Sequence, residues 1–64
     1  MVKINGESID AIGISIEKWL VDAGYDTKRV AVELNGDILP KSQYGNTYFN
    51  DGDSVEVVSF VGGG

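Results

Sequence analysis

The chain has 64 residues, 10 acidic and 5 basic, for a formal net charge of -5, and contains neither Cys nor His. A single domain of this size buries only about 60% of the surface its unfolded chain exposes, too little for a deep catalytic cleft. The composition excludes disulfides, thiolate chemistry and imidazole general bases, and the acidic balance argues against nucleic acid and anionic membranes.

The first eleven residues read as a hairpin. Met1–Ile4 and Ser8–Ala11 flank Asn5-Gly6, a pair that supplies the two positive φ angles of a type I′ turn. Val2 and Ile4 alternate with Lys3, so one face is expected to be buried. A helix follows, with Ser15 as its N-cap. Ile16, Trp19, Leu20 and Ala23 recur at helical spacing and define its buried face. Glu17 lies in the first turn, where the helix dipole favours an anion. The third helical position is Lys18, so a capping box is missing. Gly24 is placed to end the helix in a left-handed conformation. So short a helix needs a sheet beneath its apolar face.

Arg29–Leu34 alternates as a strand, and Asn35-Gly36 turns the chain. Ile38-Leu39 is a short strand ended by Pro40, which cannot donate to a ladder. Residues 41–50 read as a loop with a brief extended piece at Tyr48-Phe49. Asp51-Gly52-Asp53 is a further turn, and Ser54–Val61, rich in β-branched residues, is the last strand. This order predicts an α+β domain over residues 1–61. One main helix packs on one face of a mixed sheet, and the final strand lies beside the first.

Inside the globule there is no Ser–His or Cys–His pair and no phosphate loop. Asp51-Gly52-Asp53 lacks the further ligands of a calcium loop and reads as a turn, so no metal site is expected. Trp19 reads as core. No segment approaches the roughly 20 apolar residues of a membrane span, and Met1–Gly6 is too short an apolar run for a signal peptide; a cytoplasmic location is expected. Most of the acids serve solubility, although a partner with a basic face would suit them.

The chemistry points to the end of the chain. Gly62-Gly63-Gly64 has no side chains to pack and costs much entropy to order, so it is expected as a flexible tail, roughly 10 Å long when extended. A tail this thin fits a narrow channel and presents a carboxylate on an unhindered carbon. A carboxylate is a poor electrophile, and adenylation by ATP would give it a good leaving group. The globule has no groups for that step, so partner enzymes must supply them. The chain is expected to be a carrier or a tag, not an enzyme, with no bound cofactor and with ATP used by the partner.

The stretch Val30-Ala31-Val32-Glu33-Leu34-Asn35-Gly36-Asp37-Ile38-Leu39-Pro40-Lys41-Ser42, followed by Asp51–Gly64, resembles the ThiS family of thiamine-biosynthesis sulfur carriers. Nearly the whole chain shares the likeness. It implies a β-grasp, ubiquitin-like fold. It also implies adenylation of Gly64 by a ThiF-type adenylyltransferase and conversion to a thiocarboxylate with sulfur from a donor such as a cysteine desulfurase system. Delivery of that sulfur to thiazole synthase, ThiG, would follow. The chain departs from the commoner family pattern at Trp19 and in the aromatic, Asn-rich stretch Tyr44–Phe49.

Along the last strand, Val55, Val57, Ser59 and Val61 share one face and Glu56, Val58 and Phe60 the other. Val55 and Val57 are expected to face Trp19 and Leu20. Val58 and Phe60 then lie outside near the tail, a candidate patch for docking on partner enzymes. Competing expectations are a carrier of the molybdopterin synthase small-subunit type, a ubiquitin-like protein modifier, and an interaction module with an inert tail. A free monomer is expected.

Overall fold

The computed structural model describes residues 1–60. Val61 and the glycine tail 62–64 lie outside the described residues. Strands β1 (Val2–Ile4) and β2 (Glu7–Ile9) form the first hairpin, and helix α1 (Ile16–Asp22) follows. Strands β3 (Val30–Leu34) and β4 (Asp37–Leu39) form the second hairpin. A 3₁₀ turn (Lys41–Gln43) leads to the last strand, β5 (Ser54–Ser59). The five strands make one sheet in the order β2-β1-β5-β3-β4. Strand β5 pairs parallel with β1 and antiparallel with β3.

Both Asn-Gly pairs form the expected tight turns, with φ of 50° and 85° at Asn5-Gly6 and 52° and 89° at Asn35-Gly36. Those angles match the right-handed twist of the flanking strands. Strand β2 begins and ends earlier than Ser8–Ala11, because the two-residue turn brings Glu7 directly opposite Ile4.

The start of α1 explains how it manages without a capping box. Ser15 Oγ accepts from Lys18 N–H at 3.1 Å. The amides of Ile16 and Glu17 donate to the carbonyls of Thr47 and Tyr44, at 2.9 and 3.1 Å. The orphan donors of the first turn are thus satisfied from thirty residues away in sequence, by the segment that reads as a loop. The helix ends in a Schellman motif, with Tyr25 N–H on Leu20 O and Gly24 N–H on Val21 O. Ile16 and Leu20 are buried and Trp19 is half-buried. Ala23, expected on the buried face, is exposed because the helix stops at Asp22 and Ala23 is its C-cap.

The core lies between α1 and the inner face of the sheet. Val2, Ile4, Val30, Val32, Val55 and Val57 rise into it from three strands. Residues 41–50 close its open side, with Tyr44 and Phe49 only 3% and 1% exposed. Trp19 meets Phe49 edge-on with ring centroids 6.3 Å apart and lies 6.0 Å from Tyr25. Such pairs add about 1 kcal/mol beyond their burial. Burial pushes the Tyr44 phenol above its ordinary pKa, against a smaller lowering by the backbone at Val32.

Strand β5 is also held by side chains. Asn5 Oδ1 accepts from Val57 N–H at 2.7 Å and its Nδ2 donates to Val57 O at 3.2 Å. Asn35 Oδ1 accepts from Ser54 N–H at 2.9 Å. Replacing Asn5 by Gly keeps the turn geometry but removes the amide from Val57. Urea unfolding of Asn5→Gly is expected to show a loss of about 1–2 kcal/mol.

Candidate functional site: the outer face and end of strand β5

Because β5 is antiparallel to β3, its residues bond to that strand alternately. Asn35 N–H donates to Ser54 O at 2.7 Å, and Phe60 N–H donates to Arg29 O at 2.7 Å. The polar backbone groups of Ser54, Glu56, Val58 and Phe60 therefore point to β3. Those of Val55, Val57 and Ser59 point to the β1 side. Asn5 N–H donates to Val55 O at 2.9 Å on that side.

The side chains divide as the alternation requires. Val55 and Val57 are buried beneath α1. Glu56, Val58 and Phe60 lie on the outer face, with Val58 54% and Phe60 58% exposed. The structure thus brings Val58 and Phe60 onto one exposed strip at the end of the described sheet. Val58 sits opposite Ala31, and the same register sets Phe60 beside Arg29. Arg29 Nε is 3.6 Å from Asp26 Oδ2, an exposed pair of small energetic worth.

One strand further out, Ile38 pairs with Glu33 and is 73% exposed. The sequence reading missed it as a surface residue. The signal was present in the Asn35-Gly36 turn, whose register puts Ile38 on the face of Glu33 rather than that of Val32. Between the apolar residues, Glu33 stands directly opposite Glu56. Like charges opposed across strands destabilise a sheet.

The strip contains no nucleophile with an adjacent base. Among the described residues, no group of three or more acidic side chains could hold a metal ion. Asp51 and Asp53 do not converge on a ligand. Asp51 pairs with the Met1 amine, and Asp53 accepts from Asn50 N–H and Asn35 Nδ2. The Met1 ammonium holds the Asp51 carboxyl below its ordinary pKa through a hydrogen bond and direct charge attraction. What the outer face offers is exposed apolar surface at Ile38, Val58 and Phe60. Among the described residues, no helix is long and apolar enough to cross a membrane. The expected tail residues Gly62, Gly63 and Gly64 lie outside the described residues.

A mixed five-stranded sheet, with its last strand inside and one helix across one face, defines a β-grasp, ubiquitin-like protein. The crystal structure of the thiamine biosynthesis protein ThiS from Geobacter metallireducens is similar, with a TM-score of 0.76 and 33% identity, covering 98% of this chain and 97% of that one. The sulfur carrier protein ThiS of Bacillus subtilis is 32% identical over the full length of both chains. A thiazole synthase of Paramagnetospirillum magneticum is 45% identical over 95% of this chain, which spans only 19% of that protein's length. The pattern of the ThiS family matches residues 2–64, and the chain belongs to that family.

The opposed acids give a direct test of the outer face. Glu56→Lys replaces a repulsion with an attraction and is expected to raise stability by a few tenths to about 1 kcal/mol in urea unfolding at low salt. The gain should shrink as salt is added.

Proposed function

We propose that the chain is a sulfur carrier of thiamine biosynthesis that works through the carboxylate of Gly64. The observation that carries this reading is the family match, which runs unbroken from the first strand through the glycines to residue 64. The fold supports it, since β5 is an internal strand whose last residue, Ser59, stands three residues before the first glycine in sequence.

The chemistry follows from what the chain lacks. Without Cys or His it can supply only the acyl group. A ThiF-type adenylyltransferase would bind ATP. The Gly64 carboxylate oxygen would attack the α-phosphorus, expelling pyrophosphate and leaving an acyl adenylate. A persulfide from a cysteine desulfurase system would then attack the acyl carbon, and AMP would depart with its bonding electrons. A partner thiol would attack the outer sulfur of the resulting acyl disulfide, forming a disulfide and releasing the acyl group with its sulfur. The resulting thiocarboxylate would give its sulfur to thiazole synthase, ThiG. Support for that acceptor is the thiazole synthase that contains a segment 45% identical to this chain. Side chains on the last three residues would obstruct such a route, and glycine has none.

Val58 and Phe60 are proposed to seat the carrier on its enzymes. They are exposed, adjacent on one face, and close in sequence to the glycines. Apolar residues that become fully desolvated in an interface carry much of its binding energy.

Incubation with ATP, a sulfur source and the adenylyltransferase should yield a product in which one oxygen of the chain is replaced by sulfur, read by intact mass. One residue added after Gly64 should abolish it. Phe60→Ala should lower kcat/KM for adenylation about tenfold or more, with its melting temperature near that of the parent. Conjugates with lysines of other proteins, in place of the sulfur product, would identify a modifier instead. Wild-type efficiency in Phe60→Ala would remove Phe60 from the docking surface.

A further inference from the structure

The sheet has three places where backbone groups face outward, and they are not treated alike. The first is the outer side of β2, which has three residues, begins at Glu7 and is followed by Asp10. The second is the outer side of β4, which begins at Asp37 and runs into Pro40. Short length, charges and proline are the usual means by which natural edges refuse further strands. The third place is within β5. Strand β1 runs beside β5 only as far as Ile4, opposite Val55. The Asn5-Gly6 turn then takes the chain away, and the Asn5 amide closes both backbone groups of Val57. Beyond Val57, among the described residues, no strand lies on that side. The N–H and C=O of Ser59 point there, since Phe60 and Val58 are the residues turned to β3.

This third edge, though it is only Ser59 long among the described residues, carries neither the charges nor the proline of the other two. Ser59 and Phe60 are exposed and uncharged, and neither is proline. It is also the edge closest in sequence to the glycines. We infer that the β1-side edge of β5 at Ser59 is a strand-addition site, on which the enzyme that takes up the Gly64 end lays an extended segment of its own chain. Hydrogen bonds to Ser59 would hold the carrier by its backbone in line with β1, while the outer face is held through Val58 and Phe60. Pairing of this kind aligns a peptide in one direction and register, whatever its side chains. It would therefore aim the residues that follow Phe60 along the partner's strand. The inference rests on the carrier reading given above and adds to it the mode of engagement.

Hydrogen exchange on the labelled chain, alone and with purified ThiF-type adenylyltransferase, tests it. In the free chain the Ser59 amide should exchange much faster than those of Val58 and Phe60, which are bonded to β3. On binding the enzyme it should slow about tenfold or more, the worth of one or two backbone hydrogen bonds. Ser59→Pro removes that N–H without touching the β3 ladder, and should weaken binding about tenfold, while Ser59→Ala should bind as the parent does. Slow exchange at Ser59 in the free chain would show the edge already occupied and overturn the inference. Fast exchange in the bound complex, or full binding by Ser59→Pro, would overturn it while leaving the carrier reading intact. Failure of the parent chain to bind the enzyme would overturn both.

Discussion

The placement of β5 between β1 and β3 is the constraint on which the remainder of the structure rests. From Ser54 to Val57 the strand is held on two sides, by β3 and by β1 with the Asn5 amide, and at Ser59 it is paired with β3 alone. Val55 and Val57 fix its rotation as well, because a slip of one residue would turn both out of the core and put Glu56 in. The end of the described sheet, where Phe60 N–H donates to Arg29 O, is therefore a defined point.

The strands are too short for their own backbones to finish the ladders, and three side chains complete them. Asn5 replaces the missing continuation of β1 at Val57, and Asn35 does the same for β3 at Ser54. On the far side of β3, Pro40 ends β4 and can donate nothing. There the Lys41 ammonium reaches back to the Val30 carbonyl, and also bonds Thr27 O at 3.2 Å. Two of these three residues sit in Asn-Gly turns. Asn tolerates the positive φ of such a turn and at the same time carries an amide that mimics a peptide group. One residue thus sets both the turn and the end of the ladder, an economy suited to a chain of 64 residues.

The elements legible in the sequence were those with a local cause. The Asn-Gly hairpins, the Ser15 cap, the Gly24 stop and the alternation of β5 all follow from residues within one turn or strand of each other. The split of Val55 and Val57 from Val58 and Phe60 was legible for the same reason. Residues 41–50 were not, because their order comes from distant partners. Tyr44 and Thr47 accept from the helix start, Phe49 N–H donates to Ile14 O at 3.0 Å, and Gly13 N–H donates to Phe49 O at 2.9 Å. No periodicity within the segment announces those bonds. The aromatic residues that set this chain apart from the commoner family pattern are largely core: Tyr44 and Phe49 are buried, and Trp19 packs against Phe49. Tyr48 alone of that stretch is an exposed aromatic.

The inner and outer faces of the sheet answer to different demands. The inner face is apolar at its centre and gains from Phe49, Tyr44 and Trp19 the packed area that so short a helix cannot provide. The outer face carries two acids in direct opposition and leaves Ile38, Val58 and Phe60 to water. Neither feature helps a small domain stay folded, since the first repels and the second forgoes burial. Both become favourable when a partner covers the face, because an incoming cation relieves the repulsion between Glu33 and Glu56 as the apolar residues are desolvated.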